Sequence, residues 1–217
     1  MKFNKLGFFF VLLFLFLIVR SRSTSKICPP IEALQGCECY NNSVILSCVN
    51  KGVPDLENYY LEEINLENAV SRLTVNSNTT CNKLTIKGKV NDFIQIKPIM
   101  DFKFNYLKLT DLDTNLIHRI FEAGSTYVTT ITIRVLKIDK LDLNFTNFPN
   151  LESIYMGGRD SQNRIRVISS LIFSRLKFLV DVYLDYCEIK ELEPNSLVFN
   201  SQKYLNIDLS GNEINVE

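Results

Sequence analysis

The feature that most constrains this chain is a short apolar motif that recurs along most of its length. The core of the motif is two large apolar residues separated by one position. The second of the two falls at residues 86, 109, 133, 156, 184 and 209, so that successive copies are 23, 24, 23, 28 and 25 residues apart. Five consecutive intervals within the range of about 20–29 residues are typical of a repeat architecture.

The full pattern of a copy is L-x-x-L-x-L-x-x-N/C-x-L. The last two copies carry it as Leu179, Val182, Leu184, Cys187 and Ile189, and as Tyr204, Ile207, Leu209, Asn212 and Ile214. The alternating apolar pair predicts a short strand with one buried face. One such coil cannot bury its apolar edge alone, so we expect about six coils over residues 73–217 to stack as a solenoid. Short parallel strands would line its concave face, with irregular or helical turns on the convex side.

Other repeated positions predict how the coils are filled. A phenylalanine follows each strand at positions 121, 145, 173 and 199, and these rings are expected to fill the convex side. Cys187 and Asn212 occupy the N/C position, where the side chain is expected to turn inward to backbone groups, whereas Leu112 and Leu136 stand there in earlier copies. The longest interval contains the polar stretch 157–163, which predicts an inserted loop.

Two cysteines within the repeats are expected to be buried thiols. Cys187 lies at an inward position, and Cys81 lies three residues before the first apolar pair and is expected to point inward as well. A bond between them would have to cross several coils, each roughly 5 Å from the next, so we do not expect it.

Four more cysteines, Cys28, Cys37, Cys39 and Cys48, lie within 21 residues near the N-terminus. Structural zinc favours pairs two to four residues apart, often with histidine, and this spacing does not fit. We therefore expect two disulfides, although the residues alone leave all three pairings open. A disulfide that closes a loop of about 12 residues, such as Cys28–Cys39 or Cys37–Cys48, would add roughly 3 kcal/mol to the free energy of unfolding, because it restricts the unfolded chain.

The segment 26–72 is predicted to form a cysteine-containing cap followed by a linking helix. Within it, Val44, Ile45 and Leu46 form a β-prone run that is expected to start the sheet. Residues 55–72 carry apolar side chains three and four positions apart, and this spacing predicts the linking helix.

The first 25 residues have the layout of a secretory signal peptide. Lys2 and Lys5 precede an apolar run of 12 residues at 8–19, and a polar stretch follows. A membrane-spanning helix needs about 20 apolar residues, so cleavage and secretion are expected. The alternative is an uncleaved signal anchor, which Arg20 and Arg22 keep open and which is the one route to membrane insertion in this sequence.

Export agrees with the disulfides and with three glycosylation motifs, at Asn41, Asn78 and Asn144. The 24 basic and 24 acidic residues give a formal net charge of zero, which argues against a nucleic-acid partner.

No catalytic, nucleotide-binding or metal-binding motif stands in the sequence. The single histidine, His118, lies in a predicted turn over residues 116–119 and is expected at the surface. We therefore predict a non-catalytic protein without metal or cofactor.

Over residues 28–217 the chain resembles extracellular leucine-rich-repeat proteins. The resemblance is carried by the Cys28-Pro29-Pro30 start, the 36–39 segment Gly-Cys-Glu-Cys and the final motif at 207–214. The resemblance implies a leucine-rich-repeat solenoid and the pairings Cys28–Cys39 and Cys37–Cys48. More narrowly, the cap and early repeats are similar to the arthropod group of Oplophorus-luciferin 2-monooxygenase non-catalytic subunit-like proteins. That similarity implies a secreted, non-enzymatic companion protein.

Function is expected to reside on the concave sheet, because curved repeat sheets form extended binding surfaces and tyrosine is enriched at interfaces. An extracellular protein is the expected partner. No C-terminal cysteine cap follows before Glu217, so we expect this sequence to be a fragment; the alternative is an end covered by a second copy of the chain. The alternative function is that of an ectodomain fragment of a leucine-rich-repeat transmembrane receptor. The candidate partner-binding residues are Lys108, Thr110, Thr132, Arg134, Tyr155, Tyr183 and Asp185.

Overall fold

The computed structural model of this chain describes residues 38–40, 45–49, 60–67, 80–88, 100 and 103–215. Several sequence predictions lie outside these residues: the signal peptide, Cys28 and Cys37, and the glycosylation motifs at Asn41 and Asn78. In the described part of the chain, no helix is long and apolar enough to cross a membrane.

The described residues form two sheets. The strands are β1 (Glu38–Tyr40), β2 (Ile45–Val49), β3 (Tyr60–Glu67), β4 (Thr80–Lys87), β5 (Tyr106–Thr110), β6 (Thr130–Arg134), β7 (Lys137–Leu141), β8 (Ser153–Tyr155), β9 (Arg164–Ile168), β10 (Asp181–Tyr183), β11 (Glu191–Leu192) and β12 (Asn206–Asp208). The large sheet has nine strands in the order β1-β2-β3-β4-β5-β6-β8-β10-β12, and the small sheet has the order β11-β9-β7. Only β1 is antiparallel to its neighbour; the other pairings are parallel. The chain therefore forms a solenoid of parallel strands.

The predicted repeat register is confirmed. The first apolar residue of each pair stands opposite the next across the whole large sheet: Leu84, Leu107, Ile131, Ile154, Val182 and Ile207. Most of these side chains have no exposed surface, because each coil covers the apolar edge of its neighbour. The same register continues toward the N-terminus through Ile64 and Leu46, beyond the predicted start of the repeats at residue 73.

The predicted linking helix over residues 55–72 is wrong, because Tyr60–Glu67 within it is the strand β3. Tyr60 and Ile64, like Leu66 and Val70, are four positions apart, as on one face of a helix, whereas Ile64 and Leu66 are two positions apart, as in a strand. The pattern is therefore ambiguous. Pairing decides between them: β3 has parallel neighbours on both edges, β2 and β4. The backbone hydrogen bonds of two neighbouring strands outweigh the weak local preference.

A second expectation is also wrong, but here the reason is local. The segment around His118 was expected to be a turn, but Thr114–Ala123 is a helix, α1. The Asp113 side chain caps its start by accepting a hydrogen bond from the Leu116 amide at 2.8 Å. Gly124 ends it at φ +60°, where its amide donates to the Ile120 carbonyl.

The recurring phenylalanines are buried in the core, while their predicted place on the convex side stays a prediction. Phe121, Phe145 and Phe173 are fully buried, and Phe199 is partly buried. The centroids of neighbouring rings are 4.9, 5.8 and 5.3 Å apart along this series. A continuous aromatic stack therefore joins consecutive coils, in addition to the aliphatic line beneath the sheet.

Polar side chains at the N/C position hold the backbone where it leaves the strands. Asn212 accepts hydrogen bonds from the Cys187 and Ile189 amides and donates to the Leu184 and Leu209 carbonyls. The Cys187 thiol donates to the Met156 carbonyl at 3.3 Å. Both side chains thus turn inward, as predicted.

Asn163 does the same in the preceding coil, although the sequence did not point to it. Its side chain accepts from the Leu136 amide and donates to the Ile133 and Met156 carbonyls. The inserted loop after Met156 places Asn163 several residues later than the N/C position of the repeat pattern. The pattern therefore does not identify it.

Tyr204 departs from the pattern. It belongs to the apolar line of the last copy, yet its side chain is 99% exposed. A position on this line is buried by the following coil, and no coil among the described residues covers it.

Asn163→Ala should lower the free energy of unfolding by about 3 kcal/mol, because it leaves three buried backbone groups without partners. Asn212→Ala removes similar bonds at a partly exposed site, where water replaces them, and should cost only about 1 kcal/mol. Urea denaturation followed by circular dichroism measures both. Equal losses in the two variants would contradict this account of the buried asparagine.

Cys81 and Cys187 are free and buried, and no bond joins them, as expected. Burial raises the pKa of each thiol to about 12, with a further contribution from Glu63 to Cys81 and from Asp185 to Cys187. Cys39 is disulfide-bonded, while the pairing among the cap cysteines stays a prediction.

Iodoacetamide at pH 8 should therefore leave both free thiols of the folded chain unlabelled over hours, because their thiolate fraction is about a thousandfold below that of an ordinary cysteine. The same reagent in urea should label both, as mass spectrometry of the digested chain would show. Rapid labelling of Cys187 in native buffer would mean that the coil opens there.

Candidate binding surface

The large sheet presents one face to the core and the other outward. Successive residues of a strand point to opposite faces of the sheet. The residue between the two buried members of each apolar pair therefore points outward. We call this side of the large sheet the outer sheet face. Its middle line, in register across the strands, is Asn65, Thr85, Lys108, Thr132, Tyr155, Tyr183 and Asp208.

Two further lines flank the middle line. The first stands before the apolar pair and consists of Glu63, Lys83, Tyr106, Thr130, Ser153, Asp181 and Asn206. The other stands after the pair and includes Glu67, Lys87, Thr110 and Arg134. Asp185 lies beside Gly157 at the same end of the strands, since an added Cβ on Gly157 would come within 1.8 Å of the Asp185 carboxylate.

The seven candidate residues differ in exposure. Arg134 and Tyr155 are exposed, and Lys108, Thr110, Tyr183 and Asp185 are half-buried. Thr132 is only 7% exposed, and its hydroxyl hydrogen-bonds the Tyr106 hydroxyl at 2.9 Å. The structure thus brings the seven onto one surface, but Thr132 offers little of its side chain to a partner.

At the β3–β4 end of this face the charges neutralise each other. The Lys83 ammonium lies 2.9 Å from a Glu63 carboxylate oxygen, and the Lys87 ammonium lies 3.0 Å from a Glu67 oxygen. Each basic group here has its acidic partner on the next strand.

Lys108 and Arg134, on β5 and β6, have no such partner. Within the described residues neither forms an ion pair. Half-burial lowers the pKa of Lys108, and the positive charges of Lys83 and Arg134 lower it further. We call Lys108 and Arg134 the basic sector; it is a place where an added negative charge would relieve repulsion.

Asp181, Asp185 and Asp208, on or next to β10 and β12, form the acidic sector. All three are half-buried, and none forms an ion pair with a described residue. Asp208 accepts a hydrogen bond from the Ser210 amide at 2.9 Å, and this bond lowers the pKa of its carboxyl group. The sector therefore carries negative charge at neutral pH.

A pair of stacked tyrosines separates the two sectors. The Tyr155 and Tyr183 ring centroids are 5.1 Å apart, with 15° between the ring planes. The Tyr183 hydroxyl accepts a hydrogen bond from the Asn206 side chain at 2.7 Å, which fixes the ring. Since Tyr155 is 36% exposed, the pair offers a rigid apolar contact between the charges.

Sequence reasoning missed Tyr106 and Asp181 as members of this surface. Both immediately precede the first apolar residue of a pair, a position that the same alternation places outward. The signal was present, but only the residues within and after each pair were considered.

Charges on the small sheet and the segments beside it are arranged differently. Most of them form ion pairs: Arg164–Glu188, Arg166–Asp139 and Lys190–Glu213 join neighbouring coils, and Lys140–Glu193 joins coils two apart. Among the described residues, Lys137 and Glu191 form no ion pair. Exposed pairs of this kind contribute little stability but leave no net charge unbalanced.

His118 is half-exposed at 3.9 Å from Asp142. Among the described residues, no group of three or more histidine, cysteine, aspartate or glutamate side chains is placed to hold a metal ion.

Comparison of the chain with protein-family models, curated proteins and solved structures finds no match.

The basic sector predicts a difference between two lysines. Lys108 should titrate below the ordinary lysine pKa, while Lys140 should titrate above it because its ammonium hydrogen-bonds Glu193. Side-chain NMR titration measures both. Because the lowered pKa of Lys108 penalises its charged form, its contribution to stability should improve as the pH rises through that pKa. Arg134→Gln should raise the pKa of Lys108, because it removes a nearby positive charge. An unchanged pKa would show that the Arg134 charge does not lower the Lys108 pKa.

Proposed function

We propose that this chain is an exported leucine-rich-repeat protein with a disulfide-closed N-terminal cap. It binds an extracellular protein through the outer sheet face, which is the concave face of the solenoid, and it catalyses no reaction. The 23- to 28-residue repeat and the disulfide-bonded Cys39 support the family and the cap. The apolar run near the N-terminus supports export.

The observation that carries this proposal is the unbalanced charge of the outer sheet face. Five half-buried or exposed charged side chains there lack ion-pair partners within the described residues, while most charges of the small sheet and the segments beside it form ion pairs with one another. An unpaired, partly desolvated charge gains more from a partner than a fully hydrated one does. Complementary charge also steers a partner toward the right orientation.

Rigidity of the surface favours binding as well. From β5 to β10 of the large sheet, the side chains stand on strands whose opposite face is buried, so their spacing is set by the backbone hydrogen bonds between the strands. A surface that is ordered before binding loses less conformational entropy when the partner arrives. The stacked tyrosines, with few rotatable bonds, are the kind of side chain that dominates binding energy in protein interfaces.

Asn144 supports export in a smaller way. Its side chain is exposed, and its carbonyl oxygen accepts hydrogen bonds from the amide and hydroxyl of Thr146. The residue is thus accessible for the glycan that its motif predicts.

Replacing Lys108, Arg134 and Tyr155 together by alanine should weaken binding of an extracellular partner at least about tenfold, with the fold intact. The partner would be captured from extracellular fluid by the wild-type chain, identified by mass spectrometry and then titrated by surface plasmon resonance.

The matched control replaces the same three residue types elsewhere, at Arg175, Lys177 and Tyr204, which are exposed and lie off the outer sheet face. Its affinity should stay within about twofold of wild type. If the two triple variants bind equally well, the outer sheet face is not the binding site.

A further inference from the structure

We infer that the partner crosses the outer sheet face as one extended segment, with acidic residues over the basic sector and basic residues over the acidic sector. The inference rests on the proposed function and specifies the chemistry of its partner. It follows from the order of the charges across the strands.

The charges of the face that lack an ion pair within the described residues change sign once across the strands. Lys108 and Arg134 stand on β5 and β6, and the unpaired aspartates stand on or next to β10 and β12. The intervening strand β8 carries Tyr155 and no charged residue. A segment of uniform charge would therefore meet attraction at one end and repulsion at the other.

The spacing of the strands sets the length of the segment. From β5 to β12 there are four steps in the sheet, by way of β6, β8 and β10. At about 4.8 Å per step the distance is roughly 19 Å, which an extended chain covers in about six residues. The acidic and basic residues of the partner should thus lie five or six positions apart.

Gly157 shows how the acidic end is shaped. The Asp185 carboxylate lies over Gly157, in the space that any larger residue at 157 would fill. The carboxylate is thereby directed back toward β8 and the tyrosine pair.

The area of the charged strip favours an extended segment over a second copy of this chain as the partner. A second copy turned through 180° about an axis along the strands would also match charges, because the face is basic on one side and acidic on the other. However, the charged strip measures roughly 19 Å across the strands by about 13 Å along them, or about 250 Å². A stable protein dimer buries about 800 Å² on each partner, so a narrow segment fits this strip better.

Two synthetic peptides of identical composition test the inference directly. Both are nine residues long, with two aspartates, two arginines and a central tyrosine among serines. In the block peptide the aspartates are at one end and the arginines at the other, and in the alternating peptide the charges alternate. Fluorescence anisotropy with the full chain at 50 mM salt should show about tenfold tighter binding of the block peptide. Salt at 500 mM should reduce the difference, because it screens exposed charges.

Charge-swap variants of the chain sharpen the test. Lys108→Glu with Arg134→Glu should abolish the preference for the block peptide, and so should Asp181→Lys with Asp185→Lys. Combining all four substitutions should restore the preference, because the peptide can bind in the reversed direction. The control swap Lys137→Glu with Arg164→Glu, on the small sheet, should leave it unchanged.

Equal affinity of the wild-type chain for the two peptides, or no binding of either at 1 mM, would overturn the inference without needing any variant. Dimerisation of the chain through this face, detected by analytical ultracentrifugation and lost in the charge swaps, would also overturn it. The proposed function fails separately, if a captured partner ignores the alanine replacements at Lys108, Arg134 and Tyr155.

Discussion

The apolar contact between one coil and the next is the interaction on which this structure depends. A single coil exposes its leucine and isoleucine edge, and only a neighbour in register covers it. The pairing of Leu107 with Ile131, and of Ile154 with Val182, repeats one geometry through the large sheet. Within the core, the phenylalanine rings of successive coils also contact one another. A shift of one residue in any strand would turn its apolar pair outward, so this burial determines the register strongly.

Once the register is set, the outer sheet face follows from it. Each strand contributes side chains at fixed positions, about 4.8 Å from those of the next strand. Lys83 and Lys87 form ion pairs with glutamates on the next strand, whereas Lys108 and Arg134 form none with any residue that the structure describes. A flexible loop carrying the same residues could rearrange until its charges paired. On a rigid sheet they stay apart, which makes a partner of opposite charge the natural way to balance them.

Much of the fold was predictable because it depends on spacing alone. The strand positions of the large sheet from β4 to β12, the buried phenylalanines and the inward Cys187 and Asn212 all follow from one period. The strands of the small sheet do not, because irregular or helical turns are predicted there. Around Ile64 and Leu66 the apolar spacings fit a helix as well as a strand, and the neighbouring strands decide between them. Asn163 was missed because an insertion displaced it, and Tyr204 was placed in a core that no described coil completes.

The sequence by itself determined which side chains face outward on the sheet, because alternation along a strand is a local property. It therefore placed Lys108, Arg134, Tyr155, Tyr183 and Asp185 on one surface. Only the tertiary structure decided what these residues do there. Pairing of charges, stacking of Tyr155 on Tyr183 and burial of Thr132 beside Tyr106 all join residues at least 20 positions apart. Such contacts depend on distances between coils, and those distances exist only after the coils have packed.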